Sequence, residues 1–135
     1  MNWLPFVRKW KKTRRSSYHL YYLVNFSIQK KGSHTSICLL NEILDASIAP
    51  NLKSELVIIV ENGESNILID LTNCRYCDSS GMSVLLLGNR LCNRVNGKFI
   101  LYGLSSRIKE IMDPIGLDQY LIIAVDKDEA EAFLL

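Results

Sequence analysis

Residues 66–71 read Asn-Ile-Leu-Ile-Asp-Leu, an almost unbroken apolar run with no two-residue alternation. A strand with one wet face alternates apolar and polar side chains. A strand covered on both faces reads as continuous apolar sequence, the mark of a parallel sheet sheathed by helices. The segments around this run carry the matching pattern. Residues 48–62 place Ala49, Leu52, Leu56, Ile59 and Val60 at helical spacing, with Ser47 as a candidate N-cap and Gly63 as the stop. Residues 79–95 form a second, longer helix ending at Asn96-Gly97. Residues 98–102 (Lys-Phe-Ile-Leu-Tyr) and 119–125 read as further strands, separated by a helix capped by Ser105 and ended by Pro114 and Gly116. Asp126, with Glu129 three residues later, opens a last helix by a capping-box variant. Ahead of these, 25–30 and 35–40 form a hairpin about the turn Lys31-Gly32-Ser33-His34.

The resulting order is β-β-α-β-α-β-α-β-α. It predicts an α/β fold: a mixed, mostly parallel sheet with an antiparallel hairpin at one edge and right-handed crossovers. A chain of 135 residues accommodates one such domain, assigned to 24–135. Residues 1–23 are a basic, aromatic leader. It reads as a disordered extension, a short amphipathic membrane-surface turn, or the translation of an overlong reading frame. A secretory signal fails because 18–26 is too short an apolar stretch and no small-x-small site follows.

The formal net charge of +2 conceals an asymmetry. Eight of the 16 basic residues and none of the 14 acids lie in 1–31, so the remainder carries a net −6. A mildly acidic body is not that of a nucleic-acid binder, and no apolar stretch is long enough to span a membrane. The four cysteines include one CxxC, Cys74 to Cys77, without a second CxxC or a His-x₃₋₅-His, so a metal site is not expected and the thiols read as packing groups.

The chemically informative segment is Asp78-Ser79-Ser80-Gly81, where the loop after the apolar strand enters the long helix. In open α/β sheets ligands and modifications are handled beyond the carboxyl ends of the strands. Counting 100° per residue from Ser79 puts Gly81, Val84, Leu85, Gly88, Leu91, Cys92 and Val95 on the core face. Ser79, Ser83, Leu86 and Arg90 fall opposite, Met82 and Leu87 flank them, and Ser80 sits at the shoulder. Met82 and Leu86 on an outward face resemble a docking patch around a surface hydroxyl. Ser79 reads as a helix cap or as a phospho-acceptor, and the roles are compatible, with Asp78 equally able to cap. Phosphate at a helix start gains from free N–H groups, whereas the same charge in an apolar docking face opposes binding.

The ordered series Leu44-Asp45-Ala46-Ser47, Ile67-Leu68-Ile69-Asp70-Leu71, Cys77-Asp78-Ser79-Ser80-Gly81-Met82-Ser83-Val84-Leu85, Gly97-Lys98-Phe99-Ile100-Leu101-Tyr102-Gly103 and Ile115-Gly116-Leu117 resembles the STAS family of sulfate transporters and anti-sigma factor antagonists. The resemblance spans 25–135. It implies helices mainly on one face of the sheet and a cytoplasmic, non-catalytic partner-switching module. Such a module binds an anti-sigma factor serine kinase when its serine is free, is released on phosphorylation, and is restored by a PP2C-type phosphatase. Carried over, Ser79 is the phosphorylation site, Asp78 its neighbour, and Asp45 an acid at the same end of the fold. The partner-binding set is Asp45, Asp78, Ser79, Ser80, Met82, Ser83 and Leu86.

No cofactor is implied, although nucleotide binding has been associated with the family. An alternative reading is a STAS accessory subunit of a membrane lipid-transport complex. A catalytic reading lacks a base: His19 lies in the leader, His34 in a hairpin turn, and no phosphate-cradling GxxxxGK[ST] is present. Asp70 could pair with Asp45 and Asp78, but it reads better as satisfying backbone groups at its strand end.

Overall fold

The computed structural model describes residues 9–12, 19–22 and 25–135. Within 25–135 the chain forms β3 (Phe26–Lys30), β4 (Thr35–Leu39), β5 (Ile43–Leu44), α1 (Ala49–Glu61), β6 (Ile67–Asp70), β7 (Tyr76–Cys77), α2 (Ser79–Arg94), β8 (Phe99–Tyr102), α3 (Ser106–Met112), β9 (Ile122–Ala124) and α4 (Lys127–Ala132). Two further strands, β1 (Lys9–Lys12) and β2 (His19–Tyr22), fall in the segment read from sequence as a leader; the rest of that reading lies outside the described residues.

The described strands form a main sheet in the order β1-β2-β3-β4-β6-β8-β9. From β4 to β9 the neighbours run parallel, with Ile37 beside Ile69, Ile69 beside Leu101 and Leu101 beside Ile123. From β1 to β4 they run antiparallel, so the antiparallel edge is wider than the single hairpin read from the sequence. Ile67, Leu68, Ile69 and all four residues of β8 are buried, as a strand covered on both faces requires.

The two faces carry different helices. Phe26, Ile28, Ile37, Leu39, Ile67, Ile69, Phe99 and Leu101 join the buried residues of α1, α2 and α3 in one large core. The alternate residues Leu68, Ile100, Tyr102 and Ala124 form a smaller core with Ala130 of α4. The helices are thus mainly on one face, with α4 alone on the other among the described residues.

Most boundaries follow local chemistry. Helix α1 stops where Gly63 takes φ 100°, its amide and that of Glu64 donating to the carbonyls of Val60 and Ile59. Ser105 caps α3 by accepting from the Ile108 amide at 3.2 Å, and Asp126 caps α4 by accepting from the Glu129 amide at 2.9 Å. Two expectations need correction. Ser47 does not cap α1; its hydroxyl and amide both turn back to Asp45, and Ile48 holds the N-cap position without a side-chain bond. The last strand is also shorter than residues 119–125. Gly116 takes a left-handed φ of 70° and starts a 3₁₀ turn over Leu117–Gln119, which buries Leu117 and delays β9 to Ile122.

Helix α2 lies on the sheet through Gly88. A Cβ there would meet the Phe99 ring at 2.4 and 2.5 Å, and Phe99 is fully buried, so the ring has no free space to enter. Gly88→Ala gains about 1 kcal/mol of helix propensity but forces overpacking that costs about 1–3 kcal/mol. The expected net effect is a lower urea midpoint; an unchanged or higher midpoint would show that the ring repacks freely.

Candidate functional site

Beyond β6, residues Leu71–Asp78 travel across the carboxyl end of the sheet before α2 begins. Asp70 closes the strand, its carboxylate accepting from the Thr72 amide at 2.9 Å and from the Thr72 hydroxyl. It therefore satisfies groups at its own strand end, as its position in the sequence leads one to expect, rather than forming a carboxylate pair with Asp45 and Asp78. The short strand β7 then pairs in parallel with β5, Ile43 beside Tyr76 and Leu44 beside Cys77. The Arg75 amide donates to the Glu42 carbonyl at 2.6 Å and the Asp78 amide to the Leu44 carbonyl at 3.2 Å. This ladder places the Asp45 turn beside the Asp78 turn, since both directly follow a paired residue. The β8–α3 connection joins from the other side, with the Ser105 hydroxyl donating to the Arg75 carbonyl at 3.2 Å.

Gly81 lets the helix start sit this close. A Cβ at that position would lie 2.4 Å from the Leu44 carbonyl oxygen and 2.4 Å from the Cys77 sulfur. The backbone oxygen cannot move without breaking the β5–β7 ladder, so the pairing and the glycine are mutually dependent.

Asp78 is the N-cap of α2, its carboxylate accepting from the Gly81 amide at 3.0 Å. Of the two readings of Ser79, capping is therefore taken by its neighbour. Ser79 occupies the first helical position, exposed to solvent, with Asp78 and Ser80 half-buried on either side. Ser83, one turn on, is exposed and its hydroxyl donates to the Ser79 carbonyl at 2.9 Å. Asp45 accepts from the Ser47 hydroxyl at 2.6 Å and the Ser47 amide at 3.0 Å. These bonds, the hydroxyl's foremost, hold its carboxyl below the usual carboxylate value, so Asp45 is ionised at neutral pH.

The structure thus gathers Asp45, Asp78, Ser79, Ser80 and Ser83 at one end of the sheet. Met82 does not join them: it is 5% exposed and belongs to the large core. The helical phase put it on an outward flank because that reading set α2 against the sheet alone. Helix α1 packs along α2 as well, and this second neighbour widens the buried arc. Leu86 is half-buried, leaning on the same core rather than standing free. Val95, expected on the core face, is 42% exposed because α2 ends at Arg94 and the chain turns through Asn96 at φ 61°.

Cys74 and Cys77 are free, buried thiols, donating weakly to the Tyr76 and Asp78 carbonyls. Burial pushes both thiols up, Cys77 to about 12, which leaves them protonated and unreactive at neutral pH. His34 stands at the amino end of β4, its Nδ1 2.9 Å from the Ser33 hydroxyl, a full strand length from Ser79.

Removing the cap separates its role from that of the serine. Asp78→Ala is expected to cost about 1 kcal/mol of stability, and Asp78→Asn a few tenths. Chemical denaturation reads both, and equal losses would show that the carboxylate does more than cap.

The sequence pattern of the STAS domain family matches residues 25–132. The anti-sigma-B factor antagonist of Listeria monocytogenes is 31% identical over 111 residues, 80% of this chain and 95% of that protein. Among solved structures, an anti-sigma-factor antagonist (STAS) domain protein from Planctomyces limnophilus superposes with a TM-score of 0.73 at 18% identity, covering 84% of this chain and all of that one. The Bacillus cell fate determinant SpoIIAA in its phosphorylated form superposes with a TM-score of 0.64 at 20% identity, over 82% of this chain and 99% of the other. The family pattern matches most of the chain and the solved structures share its fold, which settles the family: the protein belongs to the STAS domain family.

Proposed function

We propose that the chain is an anti-sigma factor antagonist, a non-catalytic binding module of the cytoplasm that switches partners through Ser79. The observation that carries this is the division of labour at the start of α2. Asp78 binds the helix amide, and the neighbouring hydroxyl of Ser79 faces solvent at the first helical position. The Listeria relative, similar over nearly its whole length, is an anti-sigma-B factor antagonist, and SpoIIAA has a phosphorylated form.

The partner is an anti-sigma factor that is also a serine kinase, with a PP2C-type phosphatase restoring the free hydroxyl. Unmodified, the Ser79 turn presents a small polar group between the Asp45 turn and Ser83, a surface on which a protein can close. Phosphorylation adds nearly two negative charges and three acceptor oxygens at that spot. The helix start favours the charge within the free protein, while a closed interface would have to desolvate it next to Asp78 and Asp45. A loss of about 3 kcal/mol there weakens binding roughly a hundredfold, which suffices to release the partner.

Burial pushes the Cys74 and Cys77 thiols up and His34 stands a strand length from Ser79, so none of these three, among the described residues, serves as a base for its hydroxyl. Among the described residues no helix is long and apolar enough to cross a membrane.

The kinase, isolated from native cells by its ATP-dependent labelling of this protein, tests the reading. Phosphopeptide analysis is expected to place the label on Ser79. Ser79→Ala is expected to bind the kinase constitutively, and Ser79→Asp to bind it at least tenfold more weakly. Label at another residue, or equal affinity of the two variants, would sink the switch.

A further inference from the structure

On the far side of α2 from the sheet, Leu86, Asn89, Arg90, Asn93 and Arg94 line an open groove of about 430 Å³, closed at one edge by Tyr120. Its construction is specific. The Asn89 side-chain amide donates to the Tyr120 carbonyl at 3.2 Å and so ties the 3₁₀ turn to the helix. Tyr120 is nevertheless 70% exposed, an aromatic ring held at the rim by its backbone rather than by packing. Leu86 forms the apolar floor, with one side against the core.

The charge is one-sided. Arg90 and Arg94 are exposed and one helical turn apart, a spacing at which like charges repel by a few tenths of a kcal/mol. No acid lines the groove, and neither guanidinium has an ion pair among the described residues. From residue 32 onward the chain carries a net −6, so this is a cationic spot on an acidic body. Arg94 gains from the carbonyl-rich end of its own helix; Arg90, a turn earlier, has no such reason to be there.

We infer that the groove is a second docking element for the partner of the Ser79 site, and that its occupant is an acidic protein segment carrying apolar side chains. The inference rests on the proposed function for the partner's identity. Glutamates or aspartates pair with Arg90 and Arg94, an apolar side chain fills the space over Leu86, and Tyr120 covers it. The groove continues the outward stripe Ser79–Ser83–Leu86–Arg90. Arg90 lies eleven positions along the helix from Ser79, about 16 Å of rise, so a standard interface of about 800 Å² per partner covers both. The switch at Ser79 then sets whether the complex holds, and the groove sets which partner is held and steers its approach.

The probe is a short, capped peptide alternating glutamate and leucine, titrated at low salt into the full chain labelled with ¹⁵N. Amide shifts are expected to centre on Leu86, Asn89, Arg90, Asn93, Arg94 and Tyr120. Affinity should fall at least fivefold in the Arg90→Glu/Arg94→Glu double variant, and severalfold on raising the salt to physiological strength, where charge is screened over about 8 Å. Arg90→Glu alone is expected to weaken binding without lowering the unfolding midpoint, which separates recognition from any helix-end role of Arg94. Because the readout is the peptide, Ser79→Ala and Ser79→Asp should leave it unchanged, so failure of the switch and failure of the groove are told apart. The inference is overturned by an absence of shifts, by shifts centred elsewhere, by equal binding of a lysine–leucine peptide, or by the same residues preferring phosphatidylglycerol vesicles to the peptide.

Discussion

The contact on which the rest depends is the seating of Gly81 against the Leu44 carbonyl. It occurs where two strands of two residues each, β5 and β7, pair in parallel. That pairing fixes the end of the loop after β6 and the start of the turn before α1 in one step. Asp45 and Asp78 are neighbours because each immediately follows a paired residue. A side chain at position 81 would wedge the ladder open and tilt the first turn of α2, so the geometry of the serine is set by a residue that never touches it.

From this seat the chemistry of Ser79 follows by exclusion. The amides at the beginning of a helix need acceptors, and Asp78 supplies one through Gly81. The buried thiols on one side and Met82 on the other close off the protein interior. The Ser79 hydroxyl stays exposed, framed by Asp45 with its carboxyl bound to Ser47 and by Ser83 one turn along, and the Ser47 and Ser83 hydroxyls are already donating. The proposed modification of Ser79 would change this surface without requiring a change in fold.

Much of this was legible in the residues. The apolar run at 66–71 declared a strand covered on both faces, and the structure covers it with α1–α3 on one side and α4 on the other. Gly63, Ser105 and Asp126 act at the ends of helices as their residue types predict. The misreadings have specific causes. Helical phase tells which residues share a face but not how many neighbours the helix has, so Met82 was assigned to solvent although α1 lies beside α2. Asp45 and Ser47 both suit a turn, and residue type alone does not say that the Ser47 hydroxyl turns back to the Asp45 carboxylate instead of forward to the helix amides. Two-residue strands such as β5 and β7 carry no periodicity at all. Their partner was set by the path of the chain, which is why the element that positions the site left no mark in the sequence.

The second, smaller core has a consequence of its own. Helix α4 is six residues long and holds its face of the sheet mainly through Ala130 against Leu68, Ile100, Tyr102 and Ala124, with Leu134 beside it and Glu131 4.0 Å from Lys31 and His34. Lifting it off uncovers a handful of side chains and leaves the layer under α1–α3 intact, so it can open far more cheaply than the molecule unfolds. The amides of α4 should therefore trade their hydrogens with solvent well ahead of those in β6 and β8. The carboxyl-terminal turn is then a hinged cover on a sheet whose opposite side carries the larger core.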